Sequence, residues 1–394
     1  MITFDKENAI ADHGDTKRMR RLFEKLEEGR NVTICFLGGS ITQGSLSSKP
    51  TTCYAYKVYE WFKGRFPKAD IGYVNAGVGG TTSVFGAARA DRDVLAYDPD
   101  LVVVEFSVND ECNEYFMESY EGLIRKLLYS KSEPAVICLY NFFYENGKTA
   151  QRLHSKVARH YRLPAASMQG AIYQDILSGK IEDIALLSPD GLHPNDEGHD
   201  LVSRVVINLV QSIYEEYSES SYNAGMVSDD GESGNESADN DVTGTCYAPS
   251  PLTANSFESA RRLDNRDYEP VLQGFDTDTT PQSCVADCFK NGWLGKSKGD
   301  KIIFDLSGEY ECTGIAVQYA KTMKRPAPVV EVRVDDENYV IDSAFDETWG
   351  DLLDIRQLFV HRDKKPRKLE IEVIDDKNGK AVPFNLVSII ITMQ

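Results

Sequence analysis

The chain has 394 residues, too many for one ordinary core, and with 41% apolar residues it has enough to bury two. Its 43 Lys and Arg against 62 Asp and Glu give a formal charge of −19, which repels nucleic acid and anionic membrane and favours a neutral or cationic partner. No run approaches the roughly 18 apolar residues of a membrane span, and Met1 to Asp15 carries Asp5, Lys6, Glu7, Asp12 and Asp15 in place of a signal peptide's apolar core, so the protein is expected in the cytoplasm.

The first periodic segment, Thr16 to Glu28, places Met19, Leu22, Phe23 and Leu26 at helical spacing and stops at Gly29. The apolar run Val32 to Leu37 then reads as a buried strand that delivers the chain into Gly38-Gly39-Ser40-Ile41-Thr42-Gln43-Gly44, a turn where a serine hydroxyl can stand exposed. Tyr54 to Phe66 reads as helix and Ile71 to Asn75 as strand, followed by the glycine-rich loop Asn75 to Gly80. A helix from Ser83 to Tyr97 leads to Leu101 to Phe106, whose unbroken apolar character marks a strand covered on both faces. Helices follow at Tyr115 to Tyr129, Ala150 to Tyr161 and Asn195 to Tyr217, with a strand at Ala135 to Tyr140. This alternation predicts a parallel sheet, at whose strand carboxyl ends ligands sit.

From Ser218 to about Pro251 the composition turns to Ser, Asp, Glu, Asn and Gly, as in a mobile linker. Beyond it, short β-branched runs at Lys301 to Leu306, Gly314 to Tyr319, Val329 to Val334, Leu369 to Ile374 and Leu386 to Thr392 predict an antiparallel β-sandwich of jelly-roll type. Residues 1–217, 218–250 and 251–394 are thus the expected α/β domain, linker and β domain. The eight cysteines include Cys35 and Cys138 inside apolar runs and fit a reduced state. Cys284 and Cys288 have no matching second pair, so no zinc site is expected.

The chemistry concentrates in four segments. Asp190-Gly191-Leu192-His193-Pro194 supplies an imidazole that could take the Ser40 proton and, three residues earlier, a carboxylate to fix the ring's tautomer. Oxyanion donors are available at the same sheet edge from the Ser40 N–H, the Gly80 N–H and the side-chain amide of Asn109. No cofactor or metal is required by such chemistry, and the glycine spacing fits neither a dinucleotide nor a phosphate loop. His199 is expected in the exposed first turn of the last α/β helix. His13, His154, His160 and His361 give no signal.

In chain order these segments resemble the SGNH, or GDSL-type, hydrolases, over about residues 31 to 215. The resemblance implies a three-layer α/β/α, flavodoxin-like fold with Ser40 as nucleophile, His193 as base, Asp190 as its orienter and Ser40, Gly80 and Asn109 as oxyanion hole. Many members carry Gly where this chain has Ser107, a change expected to narrow the pocket floor. An SGNH domain followed by a jelly roll resembles the two-domain esterases of carbohydrate esterase family 17, which deacetylate manno-oligosaccharides inside the cell and whose second domain, similar to a family 35 carbohydrate-binding module, folds over the active site. On that resemblance the partner is an acetylated oligosaccharide. Trp349, in a polar stretch between strands, is the candidate to stack on a pyranose, with Trp293 and Tyr319 behind it. The alternatives are a xylo-oligosaccharide deacetylase, a general acylesterase of the same fold, or a non-catalytic carbohydrate-binding protein.

Overall fold

The computed structural model describes residues 2–227 and 248–394. Its first part contains, in order, β1 (Ile10–Asp12), α1 (Lys17–Glu27), β2 (Val32–Gly38), α2 (Ser40–Gln43), α3 (Tyr54–Arg65), β3 (Ile71–Gly77), α4 (Ser83–Asp93), β4 (Leu101–Glu105), α5 (Glu114–Leu128), β5 (Ala135–Tyr140), α6 (Gln151–His160), β6 (Ala165–Ser167), α7 (Met168–Leu177) and α8 (Asp196–Val227). The strands form one sheet in the order β1-β6-β5-β4-β2-β3. All neighbours are parallel except β1, which runs antiparallel to β6.

Successive residues of a strand serve opposite faces, and β2 shows the consequence. Ile34 and Phe36 pack with Phe23, Val58, Phe62 and Leu201, whereas Cys35 and Leu37 pack with Val84, Phe85 and Leu123. Each fully buried side chain of this kind stabilises the fold by about 1.5–3 kcal/mol, so an unbroken apolar strand is what a sheet sandwiched between helices requires. The expected parallel α/β architecture is present. β6 was not foreseen, because Ala-Ala-Ser has little β preference and becomes strand only by pairing with Cys138 to Tyr140. Helix α8 runs ten residues beyond Tyr217, into the stretch expected to be linker, and Pro249 to Thr253 lies against α5 and α6. The remainder of the expected linker, residues 228–247, lies outside the described residues.

The second part comprises β7 (Arg261–Leu263), β8 (Val271–Gln273), β9 (Asp276–Thr277), β10 (Trp293–Gly295), β11 (Lys301–Leu306), β12 (Gly314–Lys321), β13 (Val329–Val334), β14 (Glu337–Asp342), β15 (Leu352–Phe359), β16 (Arg367–Asp375) and β17 (Phe384–Thr392). Two antiparallel sheets, β15-β12-β17-β10-β9 with β7 added against β17, and β14-β13-β16-β11-β8, enclose a core that includes Trp293, Phe304, Val332, Ile371 and Leu386. This is the sandwich expected from the sequence.

The two parts share apolar contacts. Ala316, Leu353, Val387 and Ile390, on the outer face of the β15-β12-β17 sheet, join Val84, Phe85, Ala88 and Met117 of α4 and α5 in one buried cluster. Polar ties run along the seam. Glu118 accepts from the Ser256 N–H at 2.9 Å and faces His361 Nε2 at 2.8 Å, Glu121 accepts from the N–H groups of Leu252 and Thr253, and Arg125 Nε donates to Glu258 Oε2 at 2.6 Å.

Candidate active site

The sheet edge brings Ser40, Asp190 and His193 together. β2 ends at Gly38, and Ser40 opens the short helix α2 with only 7% of its surface exposed. An ionised carboxylate can only accept, so the His193 Nδ1–H donates to Asp190 Oδ2, at 2.6 Å. Nε2 is then the lone-pair end, and the Ser40 hydroxyl lies against it at 2.8 Å. The other carboxylate oxygen, Asp190 Oδ1, accepts from the N–H groups of Leu192 at 3.0 Å and His193 at 2.7 Å. Burial opposes ionisation of Asp190, but the His193 ring and these two N–H groups outweigh it and hold the carboxyl below its ordinary range.

The candidate oxyanion donors gather at the Ser40 turn, with Asn109 against Gly39 and Gly79, the residue before Gly80, beside Ser40. Its own N–H is the first of α2 and has no helical acceptor. Asn109 lies so close to the turn that a methyl group on Gly39 would collide with its Oδ1. That oxygen is buried without a partner among the described residues. Gly80 adopts φ +69°, a conformation that favours glycine, and a side chain there would also meet Leu352 Cδ1 at 2.8 Å. The loop before it is pinned to α2: Gly79 N–H donates to Gln43 Oε1 at 2.6 Å, and Asn75 bridges Thr42 O, at 2.8 Å, and the Gly77 N–H, at 2.9 Å.

Behind these donors lies a buried brace. Asp110 Oδ1 accepts from the Ser83 N–H at 2.9 Å, and its Oδ2 meets His154 Nε2 at 3.0 Å. His154 in turn stacks on Tyr120 with ring centroids 3.7 Å apart. One carboxylate therefore ties the Asn109 turn to the start of α4, three residues after Gly80. Ser107 does not narrow the pocket floor as expected. It is fully buried and bonds Glu105 Oε1 and the Asn141 backbone. Burial pushes the Glu105 carboxyl up to about 7, against hydrogen bonds from Ser107 that favour its charge. His199 departs from the exposed position expected for it. It is buried, Nδ1 accepts from the Tyr54 N–H at 3.3 Å, Nε2 lies 3.2 Å from Ser45 O, and burial pulls its pKa down to about 4.

The β part supplies a second wall. Trp349, 63% exposed, approaches the Gly80 loop, its Cη2 lying 3.9 Å from where a Gly80 side chain would begin, with the Phe345 ring edge-on at 5.2 Å. Trp293 and Tyr319 are not at this wall. Trp293 packs in the sandwich core and Tyr319 bonds Asp354. Sequence reasoning missed Gln43, Asn75, Asp110, His154 and Leu352 at the site. The Asn-Asp pair at 109–110 and a histidine on the apolar face of α6 were the visible traces of the brace. Among the described residues, no three His, Cys, Asp or Glu side chains are grouped to hold a metal ion.

Residues 36–201 match the model of the GDSL-like lipase/acylhydrolase family. An acetylxylan esterase of Geobacillus stearothermophilus is 26% identical over 210 residues, 46% of this chain and 95% of that protein. The crystal structure of a two-domain esterase active on acetylated mannans is similar over both parts, at 44% identity and a TM-score of 0.88, covering 100% of this chain and 99% of that one. The same figures hold for its form co-crystallised with mannopentaose.

Proposed function

The chain belongs to the GDSL-like lipase/acylhydrolase family, and from that premise we propose that it is a serine esterase removing O-acetyl groups from hemicellulose-derived oligosaccharides, with (gluco)manno-oligosaccharides as substrate. The observation that carries this reading is the continuous line Asp190–His193–Ser40, at 2.6 and 2.8 Å. Ser40 Oγ attacks the acetyl carbonyl carbon while His193 Nε2 takes its proton. The tetrahedral oxyanion is met by the N–H groups of Ser40 and Gly80 and by Asn109 Nδ2, each worth on the order of 3 kcal/mol. Asp190 steadies the imidazolium. Collapse breaks the ester bond, and the sugar oxygen leaves with the proton held on Nε2. Water, activated by the same nitrogen, then splits the acetyl-enzyme to acetate and free Ser40.

Leu352, pressed against Gly80, limits the space beside the oxyanion and favours a small acyl group. Trp349 offers its face to a pyranose ring. The mannan reading is supported by similarity across both parts of the chain, whereas the acetylxylan esterase is related to the first part alone. Free cysteines among the described residues suit an intracellular enzyme acting on imported oligosaccharides.

Hydrolysis of 4-nitrophenyl acetate by wild type and Ser40→Ala tests the chemistry; equal rates would sink it. Acetate release from acetylated glucomannan against acetylated xylan fragments tests the substrate, and faster release from xylan would transfer the assignment to xylo-oligosaccharides.

A further inference from the structure

Where α4 packs against β7, a cavity of about 310 Å³ is lined by Arg89, Arg92, Arg261 and Arg262 together with Asp91, Asp93 and Asp267. Four guanidiniums around one hollow are unexpected in a chain of net charge −19. Most of the local charge is matched. Asp93 takes Arg89 Nη1 at 3.0 Å, Asp264 takes Arg92 at 2.6 Å and Arg266 at 2.5 Å, and Asp267 takes the second nitrogen of Arg92. Arg261 faces Glu309 at 3.7 Å, and Asp91, the third carboxylate of the lining, takes Lys126 at 3.1 Å. Asp93, Asp264 and Asp267 thus pair closely with Arg89, Arg92 and Arg266, and Arg262 keeps only the longest of these ion pairs, to an Asp264 already shared with Arg92 and Arg266.

Arg262 Nε stands 3.8 Å from Asp264 Oδ2, an ion pair beyond hydrogen-bonding distance, and is buried without a hydrogen-bond partner among the described residues. The side chain is only 7% exposed. Phe85 supports the guanidinium from one face at 5.2 Å, but a ring face accepts none of the in-plane N–H donors. Burial lowers the Arg262 pKa to about 10, with Asp264 opposing. Arg89 adds a second buried Nε without a partner. A buried cation with unmet donors is costly unless an anion completes it, and a planar fork matches the two oxygens of a carboxylate or phosphate.

We propose that this cavity is a binding site for a small oxyanion, carboxylate or phosphate, held by the Arg262 fork at the seam between the two parts of the chain. The site is separate from Ser40. Arg89 stands between them, its Nη2 donating to Gly38 O at 3.2 Å and to Ala76 O at 2.7 Å, at the ends of the strands that carry the Ser40 turn and the Gly80 loop.

Calorimetric titration of the full chain with sodium phosphate, sulfate and acetate, each at constant ionic strength, tests this. The expected result is saturable binding of one anion per chain, weakened about tenfold or more in Arg262→Gln, while hydrolysis of 4-nitrophenyl acetate by that variant stays at the wild-type rate. Tighter binding of acetate than of phosphate assigns the site to carboxylates, and the reverse order to phosphates. No saturable binding of any of the three by wild type, or equal affinity in Arg262→Gln, overturns the proposal. Should Arg262→Gln not fold, Arg262→Lys keeps the charge and loses the fork. An affinity for the tightest anion unchanged in that variant would likewise refute the assignment.

Discussion

The two walls of the candidate active site are held in different ways. On the α/β side every group the chemistry needs is fixed by polar contacts: Asp190 by two N–H groups, the Gly80 loop by Gln43 and Asn75, Asn109 by the buried Asp110–His154 brace. On the β side Trp349 stands 63% exposed, supported by the edge of Phe345. Bond making tolerates little displacement of the reacting groups, whereas a sugar face requires only a flat ring at stacking distance. The contrast predicts which substitutions damage turnover in general and which damage only substrate choice.

The contrast breaks at once if the α/β wall is not the seat of chemistry. Ser40→Ala should lower acetate release from any ester by on the order of 10⁴-fold or more, with the thermal midpoint unchanged; an active variant would remove the reason for distinguishing the walls. Next in size is the brace. Asp110→Ala should lower kcat about 10²-fold with little change in KM, because the Asn109 and Gly80 donors lose their common anchor. Asp110→Asn, which can still accept from the Ser83 N–H, should recover much of the rate. Failure of that rescue in a folded protein would mean the pair is structural only.

Trp349→Ala sharpens the comparison from the other side. It should cost about tenfold in kcat/KM on acetylated manno-oligosaccharides and nothing on 4-nitrophenyl acetate; equal losses on both would remove the division of labour. The smallest effect on rate is expected at Glu105, whose signature is stability. Its folded pKa of about 7 lies above the ordinary 4.5, so the folded state is favoured below the unfolded value and loses that advantage as pH rises through 7. Glu105→Gln should therefore gain stability over wild type at pH 8, by about 3 kcal/mol at most, and gain none at pH 4. His199 has the opposite sign. With a folded pKa of about 4 against an ordinary 6.5, its contribution is lost as pH falls through that interval. Chemical denaturation at several pH values should then show, in Glu105→Gln, the acid-side loss that the two groups partly cancel in wild type.

Residues of the site were legible where the chemistry is local. Asp190 and His193 are three positions apart, and Ser40 and Gly80 follow strands directly, so spacing alone brings out the candidates. The brace was not legible, because Asp110 and His154 are 44 residues apart and nothing near His154 marks it as different from a core histidine. Leu352 meets Gly80 only through the packing of the two parts. In the β part the strands found from sequence are mostly inner ones, while β14 and β15, at the sheet edges and mixed in polarity, read as loops. One signal was present without being used. β13 alternates Val with Glu and Arg, as a strand with one solvent face does, but β17 runs Leu-Val-Ser-Ile-Ile-Ile without that alternation. The difference records that the β17 sheet is covered on its outer side too.

That outer covering has a consequence for how the molecule can be divided. If the chain were cut between its parts, Val387, Ile390 and Ala316 on one fragment and Val84, Phe85 and Met117 on the other would be uncovered together. Each half would carry an adhesive patch where the intact chain has an interior. The β part is therefore no detachable accessory in the manner of a tethered module, and a protein engineer wishing to transplant its tryptophan wall to another esterase would have to carry α4 and α5 along with it.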